Sequence, residues 1–219
     1  MTKKEEQELK RQRKLQAELE RLEGMLVYER EYRPLGVVCG IDEVGRGPLA
    51  GPVVAGAVIL PEDCQILYLN DSKKLTERRR ELLYEEIMEK AVAVGLGVVS
   101  QERIDEINIL QATYEAMREA VGKLDTQPEI LLNDAVTIPG LSQRQIPIIK
   151  GDAKSQSIAA ASVVAKVTRD HMMIALDEAY PQYGFASNKG YGSAAHMAAL
   201  REYGPCPLHR RTFIRNICG

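Results

Sequence analysis

Val37-Val38-Cys39-Gly40-Ile41-Asp42-Glu43-Val44-Gly45-Arg46-Gly47-Pro48 is an apolar, strand-like run that carries two adjacent carboxylates into a glycine-flanked arginine. A β-strand gives carboxylates a rigid base, and Gly45 and Gly47 permit backbone conformations in which N–H groups face an anion. Asp42 and Glu43 are therefore candidates for a divalent-metal phosphodiester site. The same pattern also closes ordinary surface strands, so the remaining acids must decide. Adjacent strand residues point to opposite faces, so both side chains reach one point only if the strand twists or bulges there.

Working outward, Gly36 to Ile41 and Pro52 to Leu60 are β-rich runs joined by a Gly/Pro turn, which predicts an antiparallel hairpin with both strands largely buried. Lys74 to Lys90 reads as a helix with Thr76 as N-cap and Leu82, Leu83, Ile87 and Met88 on its inner face. Ala91 to Val99 is the next strand, Gln101 to Lys123 a helix, Glu129 to Asp134 a strand and Gln145 to Lys150 another, whose Pro147 fits an edge. Ser155 to Tyr180 is a long helix opening with small residues, Ser157 to Ser162, that let it lie close on a sheet. The fold class is α/β, a central mixed sheet flanked by helices. Before it, Thr2 to about Arg33 is dense in charge, with a narrow apolar stripe at Leu9, Leu15, Leu19, Leu22, Met25 and Leu26. That reads as an N-terminal helical extension, residues 1–33, lightly docked on a main domain spanning 34–219, with Pro34 at the boundary.

Composition narrows the class. With 219 residues and 45% hydrophobic content the chain supports one substantial core. A net charge of -2 provides no global basic field, so nucleic acid would be held by a local patch with metal ions offsetting acids. Cys39, Cys64, Cys206 and Cys218 form no C-x-x-C pair, which fits a reducing compartment, and Cys39 reads as a small buried hydrophobe. There is no signal-peptide pattern, and the longest apolar stretch, Ala50 to Leu60, is too short to span a bilayer, so the expected location is cytoplasmic.

Two later runs repeat the opening device: Ile130 to Asn133 leads into Asp134, and Ile146 to Gly151 leads into Asp152. Acids delivered by neighbouring strands to one sheet edge repel one another unless protons or cations occupy the cluster. All-oxygen ligands suit Mg²⁺ or Mn²⁺, and the histidine or cysteine spacing of a zinc site is absent. Two such ions about 3.5–4 Å apart, bridged by one carboxylate, favour phosphoryl-transfer hydrolysis.

The segment Asp42 to Val54, the turn Asp71-Ser72-Lys73-Lys74-Leu75, the pair Asn133-Asp134, the stretch Lys150 to Asp170, and Asn188-Lys189-Gly190-Tyr191-Gly192 followed by His196 together resemble bacterial ribonuclease HII, from about Gly36 to Phe213. The resemblance implies a ribonuclease H-like fold and endonucleolytic hydrolysis of the RNA strand of RNA/DNA hybrids. It extends to cutting 5′ of single ribonucleotides embedded in duplex DNA, leaving 3′-hydroxyl and 5′-phosphate ends. It casts Asp42, Glu43, Asp134 and Asp152 as the acids holding two ions, with Asp42 bridging. Gly45-Arg46-Gly47 is cast as the reader of the ribose 2′-hydroxyl, and Tyr191 as the ring that stacks on the following deoxyribose. Lys73, Lys74, Lys154 and Lys189 are candidate phosphate contacts.

His196 and His209 are expected to be hydrogen-bonded structural residues and Asp170 to be structural rather than a fifth ligand, while for Lys166 and Arg169 packing or helix-surface pairing is as good an account as substrate contact. Ribonuclease HIII is a weaker resemblance, since it usually carries a larger N-terminal domain and a glutamate where Asp152 stands. From another class, a non-catalytic hybrid-binding module is opposed by the complete acid set. A nucleotide loop is opposed by the absence of G-x-x-x-x-G-K-[ST]. The expected partners are hybrid and ribonucleotide-containing duplexes, with the chain a monomer. The tail Arg215 to Gly219 lacks an evident peptide for a replication clamp.

Overall fold

A computed structural model describes residues 2–218, apart from the side chain of Cys218. Thr2 and Glu5 cap α1 (Lys3–Gly24) reciprocally, but the outer turns of this helix stand in solvent and Leu9 and Leu15 are exposed. The apolar stripe docks only near its end, through Leu22, Met25 and Leu26, where the chain turns into α2 (Val27–Tyr32). There Glu29 is buried, and its Oε1 accepts from the Ser155 hydroxyl at 2.6 Å and the Ser157 N–H at 2.9 Å. The leader thus satisfies donors at the start of a helix more than 120 residues later in the chain.

β1 (Val38–Val44) and β2 (Val53–Ile59) form the expected antiparallel hairpin, in unbroken register from Gly40 opposite Val58 to Val44 opposite Val54. A 3-10 turn, Ser72–Lys74, precedes α3 (Glu77–Lys90), which Thr76 caps as predicted. Leu83 and Ile87 are buried, whereas Leu82 and Met88, also expected inside, are about half exposed at 51% and 45%. Leu83 and Ile87 lie four apart on one line of the helix, and their outer neighbours are each rotated about 100° from it. β3 (Ala93–Val99) pairs antiparallel with β2. α4 (Gln101–Gly122) is interrupted at Asn108, whose φ is 67° and whose side-chain oxygen accepts from the N–H groups of Leu110 and Gln111. The helical period hid this break, because Asn108 acts as an internal cap.

β4 (Ile130–Asp134) runs parallel to β1, and β5 (Arg144–Ile148) runs parallel to β4, giving the order β3-β2-β1-β4-β5 with Pro147 on the edge strand. α4 covers one sheet face and α5 (Gln156–Asp177) the other. Gly40 makes the second contact possible: a Cβ there would come within 2.1 Å of the Ser157 carbonyl carbon, so only glycine admits the small-residue start of α5. Beyond the sheet, α6 (Phe185–Asn188), α7 (Ala194–Tyr203) and α8 (Arg211–Cys218) close a separate apolar cluster around Met173, Tyr183, Phe185 and Leu200. No helix among the described residues is long and apolar enough to cross a membrane.

Candidate active site

The parallel pairing of β1 with β4 aligns Ile41 with Asn133, which sets the next residues, Asp42 and Asp134, side by side on the face that α5 covers. Asp42 is buried, with its Oδ1 accepting the Glu43 N–H at 2.8 Å and its carboxylate bonded to the Ser162 hydroxyl of α5. Ser162 Oγ in turn lies 2.9 Å from Ser72 Oγ. Asp152 does not terminate a strand as expected. β5 ends at Ile148, Lys150 adopts a left-handed conformation, and Asp152 sits in a 3-10 turn, Gly151–Ala153, that leads into α5. The turn is pinned to the site by the Gly151 N–H donating to Asp134 Oδ1 at 2.7 Å. The same rim holds Asp71, hydrogen-bonded to Asp152, and Lys73.

Glu43 is reached differently. The continuous register of the hairpin contains no bulge, so alternation directs its side chain to the opposite face from Asp42. It nevertheless remains at the rim, because the β1–β4 pairing stops at Ile41 and leaves the end of β1 open. Glu43 lines a groove of about 570 Å³ with Gly45, Gly47, Lys73, Tyr191 and Phe213, and pairs with Arg46 at 3.3 Å.

Electrostatics ties these acids together. Burial, then Glu43 and Asp134, push the Asp42 carboxyl well above its usual range. Burial also raises Glu43, with Asp134 adding to the rise and Arg46 and Lys73 opposing it. Asp152 is raised by burial, Asp71 and Asp134, against Lys73. Partial burial pulls the Lys73 ammonium down, but Asp42, Asp71, Asp152 and Glu43 outweigh it and leave it above its usual value. Burial and neighbouring acids together hold Asp42 and Asp152 up, and burial holds Glu43 up despite Arg46 and Lys73, the condition that a divalent cation relieves. The donor set is all oxygen and fits Mg²⁺ or Mn²⁺. It is not a finished cage: among the described residues no three His, Cys, Asp or Glu side chains are arranged to hold an ion, since Asp134 is tied to Gly151, Glu43 to Arg46 and Asp152 to Asp71.

Beside the acids, the Gly45–Gly47 loop is held from behind. Gly45 has φ +92°, and a Cβ there would lie 2.4 Å from Arg169 Nε. Arg169, fully buried, donates to the carbonyls of Pro52 (2.9 Å), Lys189 (2.8 Å) and Ala50 (3.1 Å). Arg210, also fully buried, donates to Gly45 (2.6 Å), Arg46 (3.0 Å) and Gly51 (2.8 Å). Burial pulls both guanidinium groups down, Arg210 to about 9. Tyr191 is 44% exposed, and its ring edge stands 3.8 Å from the position of a Cβ on Gly47.

Lys73, Lys74 and Lys154 are exposed, as phosphate contacts need to be. Lys189 is not free in the same way: its ammonium donates to the Ala186 carbonyl and its own carbonyl is taken by Arg169. Asp170 is buried between Lys166 (2.6 Å) and Arg80 (3.6 Å), in a structural pairing. His196 and His209 are buried and hydrogen-bonded. Sequence reasoning missed Arg210 and Asp71. Asp71 lay inside a recognised turn and was readable as its N-cap, whereas nothing local marks Arg210.

A mixed sheet that gathers carboxylates at the end of two adjacent parallel strands, beside a backbone loop and an exposed ring, defines a nuclease of the ribonuclease H-like class. The family model for ribonuclease HII matches residues 39–216. The ribonuclease HII of Lachnoclostridium phytofermentans is 65% identical over 207 residues, covering 94% of this chain and 82% of that protein. Among solved structures, the ribonuclease H2 of Pyrococcus horikoshii superposes with a TM-score of 0.69 at 30% identity over 83% of this chain and 96% of that one. A complex of PCNA with the ribonuclease HII of Archaeoglobus fulgidus gives 0.68 at 29%, over 80% and 93%. The chain belongs to the ribonuclease HII family, and it is an endoribonuclease that hydrolyses the RNA strand of RNA/DNA hybrids.

Proposed function

We propose that Asp42, Glu43, Asp134 and Asp152 hold two Mg²⁺ or Mn²⁺ ions, with Asp42 bridging, and that the enzyme cuts on the 5′ side of single ribonucleotides in duplex DNA as well as within hybrids. The observation that carries this reading is the Asp42–Asp134 alignment on parallel neighbours, with Asp42 raised by its burial and then by its fellow acids and lacking an ion pair among the described residues. Bound there, the ions supply Lewis-acid activation of water and offset charge on the leaving oxygen. The chain's own groups do the rest. Ser162 and the Glu43 N–H orient the Asp42 carboxylate, and the Gly151 N–H orients Asp134. Lys73, close to Asp42, Glu43 and Asp152 and to Asp71, faces the scissile phosphate, with Lys74 and Lys154 further along the backbone.

Selectivity in this reading comes from two rigid elements. Backbone groups of Gly45, Arg46 and Gly47 approach the ribose and read its 2′-hydroxyl, a polar test that only RNA passes. The Tyr191 ring stacks on the next sugar and is tolerant only of deoxyribose. The domain division at about residue 33 belongs to the same proposal: residues 1–33 are an extension held to the body through its Leu22–Glu29 end, and substrate is left to residues 34–219. Every group named is on one chain, which fits a monomer. The PCNA complex of the archaeal relative raises a clamp partner, for which this chain's tail supplies no evident peptide.

The test is a labelled DNA duplex containing one ribonucleotide, incubated with Mg²⁺, Mn²⁺ or chelator beside Asp42→Asn and an all-DNA control. Cutting 5′ of the ribonucleotide that disappears with chelator or Asp42→Asn is the expected result. Cutting that persists in Asp42→Asn would remove that residue from the metal site. Cutting confined to continuous hybrids would remove the junction reading.

A further inference from the structure

Tyr191 and the Gly45–Gly47 loop come from distant parts of the sequence, yet one short segment, Cys206 to Arg210, is bonded to both. Arg210 grips the loop carbonyls, as described. Its neighbour His209 reaches the other side through a chain of hydrogen bonds whose direction can be worked out atom by atom.

His196 Nδ1 lies 2.8 Å from the Tyr191 carbonyl, which only accepts, so His196 carries its proton on Nδ1. In a neutral ring the other nitrogen is then an acceptor. His196 Nε2 lies 2.9 Å from His209 Nε2, so His209 must be the donor there. That leaves His209 Nδ1 as an acceptor: it receives the Cys206 N–H at 3.0 Å, with the Cys206 thiol at 3.2 Å also placed to donate, so in this tautomer its longer 3.3 Å approach to the Cys206 carbonyl is a contact and not a hydrogen bond. Each link supports the next, and this pair of neutral tautomers satisfies the three shortest nitrogen contacts of the two rings together. Burial keeps both rings neutral, with His209 held down to about 4. Tyr183 and Phe185 pack against both imidazoles at ring-centroid separations of 4.8–6.2 Å, which fixes the ring planes.

The relay ends on the main chain of Tyr191. Its carbonyl also accepts the Ser193 N–H at 2.8 Å, and its N–H is bound to the Asn188 carbonyl at 2.9 Å, so the backbone is clamped while the ring projects into the groove beside Gly47. The adjacent bridge between Ala50 and His209 ties the relay to the chain that leaves the loop.

We infer that His196 and His209 are positioning residues for junction recognition: with Arg210 they set the gap between the Gly45–Gly47 backbone and the Tyr191 ring, and hence the selectivity for a ribonucleotide followed by a deoxyribonucleotide. The inference rests on the proposed reading of the loop and of Tyr191. It assigns the pair no proton transfer, since both rings are buried and their nitrogens are already engaged.

The experiment compares the full chain with two variants, His196→Phe and His196→Asn, on a duplex with one embedded ribonucleotide and on a continuous RNA/DNA hybrid. Phenylalanine fills the site without a donor, whereas the asparagine amide places an N–H near the Nδ1 position. Loss of one hydrogen bond predicts that His196→Phe lowers the ratio of junction to internal cleavage about tenfold, with internal cleavage changed by less than about threefold. His196→Asn is expected to restore the ratio to within about threefold of the unsubstituted chain. An unchanged ratio in folded His196→Phe overturns the inference, as does an equal loss on both substrates, which is the mark of a merely structural role. If His196→Phe fails to fold, His196→Gln, which keeps a partner for His209 but withdraws the donor from Tyr191, makes the same distinction. Tyr191→Ala separates the two levels: if it leaves the ratio intact, the reading of Tyr191 itself has failed, whatever the histidine variants show.

Discussion

Two neighbouring regions satisfy their charges in opposite ways. Along the rim of β1 and β4, acids face other acids, and Asp42, Glu43 and Asp152 are all held above their usual range. Behind the Gly45–Gly47 loop, two buried cations have no carboxylate bonded to them among the described residues and spend their donors on main-chain carbonyls. The rim is left electrostatically incomplete, ready for cations that arrive from solution. The loop is held by protein groups alone, and on the proposed reading that rigidity is what would let its backbone discriminate one hydroxyl. The proposed function thus assigns metal binding and selectivity to different physics in neighbouring regions.

The contrast is sharpest in Asp42→Asn. Activity should fall about a thousandfold or more, because several kcal/mol of metal-borne charge stabilisation depend on it. Metal-free stability should hold or rise, because a buried charge repelled by Glu43 and Asp134 has been removed. Single-turnover cleavage beside thermal melting checks this, and a large fall in melting temperature would break the comparison. Arg210→Met should do the reverse in origin, unfolding the loop's support at a cost of about 3–5 kcal/mol by leaving buried carbonyls unpaired. Denaturant titration measures it. Arg210→Lys should recover little, since a point charge cannot serve several carbonyls in a fork.

Opposite pH responses should follow. Acids raised in the fold hold protons that the unfolded chain releases, so in metal-free protein they cost stability as pH rises above about 4, the unfolded carboxylate range. Millimolar Mg²⁺ or Mn²⁺ should therefore raise the melting temperature more at pH 8 than at pH 5, by about 2–4 °C for each kcal/mol of linkage. His209 has the other sign: the unfolded chain takes up a proton near pH 6.5 that the folded ring refuses until about 4. Its contribution is whole above pH 6.5 and fades as pH falls toward 4, which melting curves of His209→Phe beside the unsubstituted chain resolve. The smallest effect belongs to the outer leader. Deleting residues 2–17, which are exposed, should change stability by less than about 0.5 kcal/mol. Deletion through residue 30 should lower the melting temperature clearly, because it removes Leu22, Met25, Leu26 and the Glu29 cap of α5.

What was legible in the sequence was local. The β1–β2 hairpin, the Thr76 cap, the edge placement of Pro147 and the small-residue face of α5 each follow from residues within a few positions of one another, and all appear in the fold. The chain also marks its candidate acids, since Asp42 and Asp134 close apolar runs that form buried strands and Asp152 follows shortly after the edge strand β5. Periodicity misjudged Leu82 and Met88, because it ranks faces by composition and cannot show how wide a strip the neighbouring element covers. It also passed over Asn108, whose side chain replaces the helical bonds it breaks.

Tertiary structure alone decided the rest. Asp71 joins Asp152 across eighty intervening residues, Glu29 caps α5 from the far end of the chain, and Arg210 grips a loop 165 positions away. A strand or a cap leaves a signature because its partners are set by backbone geometry over a few residues. A buried arginine chooses carbonyls, which every residue carries, so no side-chain pattern announces its partners until the sheet brings them within 3 Å.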